Sequence, residues 1–136
     1  MKKKAEKTVA IALMILTVVG TLGFFYFNPT SINLSLHNEA EVVFIYGDKN
    51  ISEKVSDEDT QILKDIIHGK HKLFWDNPSC GFSQNVSVRF GNHIFSPACD
   101  NCETVKYRNK YFYLSDKEMR QVRRIMRKHG AHFPCV

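Results

Sequence analysis

Residues Thr8 to Phe27, TVAIALMILTVVGTLGFFYF, form a 20-residue run with no charged side chain, and no other feature restricts the fold as strongly. As a helix rising about 1.5 Å per residue, the run measures about 30 Å, the thickness of a bilayer's hydrocarbon core. It contains no proline, and Gly20 and Gly23 are tolerated in lipid. Phe24, Phe25, Tyr26 and Phe27 close it with aromatic side chains suited to a membrane interface. Lys2, Lys3, Lys4 and Lys7 precede it against the single Glu6, and the next lysine or arginine after it is Lys49. By the positive-inside rule, residues 1–7 are then a cytoplasmic N-terminus and 8–27 a signal-anchor helix, with everything after about residue 28 outside the cell membrane.

Two other readings compete with this one. A cleaved signal peptide has an apolar core of about 7 to 15 residues ending in a small-x-small site. This run is longer and ends in bulky aromatics followed by NPTS, with no following cysteine placed to carry a lipid. A buried helix of a soluble protein is the other alternative, and the uninterrupted length argues against it.

Beyond the anchor, residues 28–40 read as a polar stalk and 41–136 as one small extracytoplasmic domain. The chain has 19 basic and 14 acidic residues; setting aside the four N-terminal lysines and Glu6 leaves 15 against 13. An outer domain near neutrality, on that side of a membrane, gives no reason to expect nucleic acid as a partner.

The domain has an α+β pattern. EVVFIYG (41–47) is apolar enough for a buried strand, and Val86, Val88 and Phe90 alternate with Ser87 and Arg89 as a half-wet strand does. Gly91-Asn92 suits a two-residue hairpin turn, returning along HIFS until Pro97 interrupts the ladder. TVKY-RN-KYFYL predicts a second hairpin, while KLFW (72–75) reads as a short strand or a loop over the core. Ile62, Leu63, Ile66 and Ile67 mark one stripe of a helix over 56–69, capped by Ser56 with Asp59 three residues on and closed by Gly69. A second helix, SDKEMRQVRRIMRKH, spans 115–129. VSDEDTQILKDII repeats as LSDKEMRQVRRIM at an offset of 59, and each copy follows what looks like the start of a hairpin. Capped amphipathic helices after strands commonly resemble one another, so a duplicated hairpin-plus-helix unit is one of two readings. Both predict an antiparallel sheet with two amphipathic helices on one face.

The four cysteines, Cys80, Cys99, Cys102 and Cys135, all lie in this outer domain. An even count in an oxidising compartment predicts disulfides, with three possible connectivities. Cys99 and Cys102 form a C-x-x-C pair, the spacing of a thiol oxidoreductase. Redox catalysis needs the first cysteine at a helix N-terminus to stabilise a thiolate, whereas ETVKYRNKYFYL after Cys102 reads as strand, with Glu103 adding negative charge. Zinc needs four ligands, and Cys80, Cys99, Cys102 with Cys135 or a histidine offer only one knuckle; His68 and His71 are a weak pair. Registering the first hairpin on Gly91-Asn92 pairs residues whose numbers sum to 183, which carries Cys80 opposite Glu103, one position from Cys102. Pro78 and Pro97 interrupt that ladder, so the partner of Cys80 stays open between Cys99 and Cys102. Structural bridges are therefore expected, with no metal and no cofactor.

On the last helix Lys117, Arg120, Arg124, Arg127 and Lys128 cluster opposite Met119, Val122, Ile125 and Met126, with Arg123 at the edge. Such a stripe is commonly a solvated face; its functional reading is a surface for lipid headgroups, an anionic envelope polymer or an acidic protein. No G-x-S-x-G, H-E-x-x-H or phosphate-cradling glycine loop occurs, and no catalytic residue is assigned. Acidic residues at the helix starts complement the dipoles, and Trp75 and the tyrosines suit core and sheet packing. Asn33, Asn50 and Asn85 match the glycosylation acceptor pattern. The expectation is a non-enzymatic, membrane-anchored interaction module that binds, senses or inhibits a partner. The alternatives are an oxidoreductase using Cys99 and Cys102, or a structural subunit of a membrane assembly.

Overall fold

The computed structural model describes residues 2–28 and 31–133, and Cys135 lies outside them. The chain forms two compact units, divided after Thr30. In the first, α1 (Lys2–Phe27) is one helix, and its segment Glu6–Phe27 is long and apolar enough to cross a membrane.

The second unit begins at Ser31, ten residues before the expected domain boundary. The predicted polar stalk is part of the fold, because Ile32, Leu34 and Ala40 are buried in the core. Alternation explains this. Ile32, Leu34 and Leu36 are separated by polar residues, and the first two point inward while Leu36 stays exposed. Ile32 brackets the end of the next helix, its N–H donating to Lys70 O at 2.9 Å and its carbonyl accepting from Gly69 N at 2.8 Å.

Six strands form one antiparallel sheet: β1 (Glu41–Tyr46), β2 (Lys49–Lys54), β3 (Val86–Phe90), β4 (His93–Pro97), β5 (Thr104–Tyr107) and β6 (Lys110–Tyr113). Their order is β2-β1-β3-β4-β5-β6. Phe90 pairs with His93 and Val88 with Phe95, the register expected from the Gly91-Asn92 turn. Gly91 adopts φ +55°, and Arg108 takes φ +55° in the β5–β6 turn. Phe74 forms a single bridge to Tyr111 outside β6.

Helices α2 (Asp57–Ile67) and α3 (Asp116–Lys128) pack on one face. Ser56 accepts from Asp59 N at 3.3 Å, and Ser115 and Glu118 close a full capping box. Asp59's carboxylate accepts from Lys128 Nζ at 2.7 Å, and Lys70 Nζ meets Glu118 at 2.9 Å. Those two contacts tie opposite ends, so the helices run antiparallel. Between helices and sheet lie Val42, Phe44, Val88, Phe90, Phe95 and Phe112 against Leu63, Ile67, Val122, Ile125 and Met126, all nearly inaccessible.

The sequence echo has a structural counterpart. β1-β2-α2 and β5-β6-α3 occupy the two outer thirds of the sheet, each with its first strand inside, its second at the edge and a Ser-capped helix following. The central hairpin β3–β4 lies between them. On the helix-free face Ser87, Ser96 and Thr104 are also buried. The chain between Phe74 and Val86 crosses there, with Phe82 against Tyr111 at 5.2 Å and Gln84 O accepting from Ser87 Oγ at 2.8 Å.

Candidate functional site

Two features meet at one end of the sheet: a disulfide-braced loop and the arginine-rich face of α3. The β4–β5 connection carries Ala98, Cys99, Asp100, Asn101, Cys102 and Glu103. β4 ends at Pro97, which still pairs with Val105, and Ala98 N donates to Thr104 O at 2.9 Å before Asp100 turns the chain by accepting from Cys102 N at 3.0 Å. The other Asp100 oxygen accepts from Gly81 N at 3.1 Å, and Cys99 N donates to Gly81 O at 2.8 Å. Cys80 is thereby held beside Cys102, and the two form a disulfide across 6.3 Å between their Cα atoms. The β3–β4 register does not extend back to Cys80; the crossing segment brings it there instead.

The C-x-x-C pair is thus not bridged to itself. Cys102 is bonded to Cys80 and leads into strand β5, and Cys99 is buried. Neither position is the N-terminus of a helix, so no helix dipole favours a thiolate there. An Asp100 oxygen lies within 4.8 Å of both bridged sulfurs, but a disulfide sulfur is not a thiolate ligand.

Arg123 joins this loop to α3. Its Nη2 donates to Ala98 O at 3.2 Å, to Cys102 O at 3.3 Å and to Asp100 O. One guanidinium therefore satisfies carbonyls that the turn leaves without ladder partners. Nε of the same side chain is buried without an acceptor. Burial first, and the neighbouring Arg127 second, push the Arg123 guanidinium below its ordinary value. The guanidinium carbons of Arg123 and Arg127 lie 5.5 and 5.9 Å from the centre of the Phe133 ring.

Beside this lies a groove of about 590 Å³, lined by Asn101, Glu103, Arg120, Arg123, Arg124 and Arg127 among others. The five basic residues of the predicted stripe separate here into distinct environments. Arg120 is paired with Asp116 one turn earlier, and Lys128 is engaged with Asp59. Lys117 is exposed near the start of the helix and does not line the groove. Arg124 and Arg127 are exposed groove residues that meet no carboxylate within ion-pair distance among the described residues. The concave basic surface is therefore Arg124 and Arg127, backed by Arg123. Sequence reasoning left Arg123 at the stripe's edge; its signal was a helical position flanking Met119 and Val122, turned toward the sheet.

Chemically this arrangement suits an anion. Planar guanidiniums pair with carboxylate or phosphate through two parallel hydrogen bonds, and two adjacent arginines gain most when one anion is shared between them. Comparison with protein-family models, curated proteins and solved structures gives no match.

Proposed function

We propose that this protein is a single-pass membrane protein that displays its α+β domain on the outer side of the cell membrane and uses the α3 groove to bind an acidic partner. The observation that carries the reading is a disulfide, Cys80–Cys102, in a domain that follows a helix long and apolar enough to cross a membrane. Disulfides persist in oxidising compartments, and the lysine-rich segment before α1 favours retention of that end in the cytoplasm. The same bridge braces the loop that Arg123 grips, so it also stiffens one wall of the groove. The protein is then a binding module whose covalent cross-link is structural.

The partner presents carboxylates or phosphates, as an acidic protein segment or an anionic envelope polymer does. Attraction at exposed arginines weakens as salt shortens the screening length to about 8 Å near physiological strength. Two measurements test the proposal. Single cysteines placed at residue 5 and at residue 36 are labelled on intact cells with a membrane-impermeant maleimide; residue 36 reacts and residue 5 does not. The reverse pattern, or labelling of neither, removes the topology. R124E/R127E on the full chain in lipid discs then abolishes salt-sensitive retention on a polyglutamate matrix, whereas R120E, which opposes Asp116, weakens it less. Equal loss in both variants removes the groove as the site.

A further inference from the structure

We infer that the end of the domain formed by residues 68–72 and Tyr113 rests on the phospholipid headgroups of its own bilayer, with Lys72 contacting phosphate. This rests on the membrane-anchor reading above but concerns a different surface from the arginine groove. The first observation is covalent. Asn28 N still donates to Phe24 O at 2.9 Å, so the helical hydrogen bonding of α1 reaches Asn28, and Ile32 is already buried in the domain. Four peptide units separate those two residues, and at 3.3–3.6 Å each they span at most about 14 Å. The headgroup layer of one leaflet is roughly 5–8 Å thick. Ile32 therefore stays within about 10 Å of the headgroup surface, and the bound holds for any rotation about the link.

The second observation is what surrounds Ile32. Its backbone is bonded on both sides to Gly69 and Lys70, so the chain emerges beside the C-terminal end of α2. A groove of about 410 Å³ opens there, with Asp65, Lys70, His71, Lys72, Tyr113 and Glu118 on its walls. Lys70 and Glu118 neutralise each other at 2.9 Å, and Asp65 accepts from Gln61 at 2.7 Å. Lys72 is exposed and makes no ion pair among the described residues. Tyr113 is 62% exposed although it belongs to a strand, and it stacks on Phe74 at 4.8 Å.

An exposed tyrosine beside an unpaired lysine is the residue pairing favoured at a membrane–water interface. The balance of charge also selects the occupant. Two lysines against two carboxylates suit a headgroup layer of phosphates and ammonium groups better than a strongly acidic protein, which the α3 groove fits. The bilayer is present at high local concentration because the chain is tethered to it.

The chain has one tryptophan, Trp75, which allows a direct test. Phe74 pairs with Tyr111, so along the same register Lys72 falls beside Tyr113 and Trp75 beside Lys110, whose Nζ lies 4.6 Å from the Trp75 ring centre. Positions 110 and 113 lie three strand residues, about 10 Å, apart along β6, so Trp75 at Lys110 sits well away from position 113. Full-length protein and its W75F/Y113W variant are placed in lipid discs containing phosphatidylglycerol and a phosphatidylcholine brominated near the carbonyl end of its acyl chains. Tryptophan at 113 is expected to be quenched well above tryptophan at 75. K72E in the W75F/Y113W background reduces the lipid-contacting population about fivefold for each unit of charge changed. Quenching at 113 no greater than at 75, in a chain that stays in the disc after a carbonate wash, overturns the proposal and leaves the anchor intact. A chain that washes out overturns the anchor reading, and this proposal with it.

Discussion

Arg123→Met isolates what holds the braced loop to the helix layer. Methionine keeps an unbranched apolar stem but removes the guanidinium and with it all donors to Ala98 O, Asp100 O and Cys102 O. A hydrogen bond from a charged donor contributes about 1.5–3 kcal/mol. Two of the three acceptors lie at 3.2 and 3.3 Å and share a single nitrogen with the third, so they add a fraction rather than a multiple. Burial of the guanidinium, the first cause of its lowered proton affinity, returns part of the gain. The net loss is about 2–3 kcal/mol. For a domain of about 100 residues this lowers the melting temperature by about 8–12 °C. Thermal unfolding of the full chain in lipid discs, followed by Trp75 emission, measures it. Arg123→Lys retains one compact cation and recovers part of the loss. A melting temperature within about 2 °C of the parent refutes the argument that this guanidinium is the loop's main support.

Two further perturbations probe other parts of the fold. The Cys80–Cys102 bridge joins residues 22 apart, so C80A/C102A costs about 3.5 kcal/mol by the chain-entropy argument; peptide mapping without reductant that fails to recover the linked pair contradicts the bridge itself. His93 accepts from or donates to Tyr107 Oη at 2.6 Å and lies against His37 at 4.8 Å; burial first, then His37 and Arg108, hold its imidazole below the ordinary value. The unfolded chain then takes up that proton first, so the stability His93 contributes is present above about pH 6.5 and declines as the pH falls toward the folded-state value. H93Q flattens the fall in urea midpoint between about pH 7.5 and 5.5, and an unchanged slope refutes the assignment.

Much of the architecture is visible in local patterns because local physics makes it. Gly91-Asn92 sets the central hairpin, and the Ser56 and Ser115 caps start the helices. The echo of VSDEDTQILKDII left a duplicated unit as one of two readings, and the strand order supplies the two similar outer thirds. β2 is less legible: KNISEK has a single apolar residue, Ile51, and becomes a strand because β1 supplies its ladder. The stretch 31–40 reads as polar because only Ile32, Leu34 and Ala40 are buried among exposed neighbours.

The uncharged run, the lysines before it and the cysteine parity are covalent facts of the chain, and they carry the expectations of a membrane-spanning segment and of disulfides. Cysteine connectivity was open among three choices, since parity says nothing about which loops meet. Only the crossing of residues 74–86 over the helix-free face brings Cys80 to Cys102, a long-range arrangement set by how both sheet faces are covered. The basic stripe divides for the same reason. Helical periodicity places Arg120, Arg124, Arg127 and Lys128 on one side with Arg123 at its edge, but which of them stays available depends on Asp116, on Asp59 of the other helix and on the β4–β5 loop carbonyls that hold Arg123. Periodicity is a property of one element, whereas the environment of a charge belongs to all the elements that pack around it.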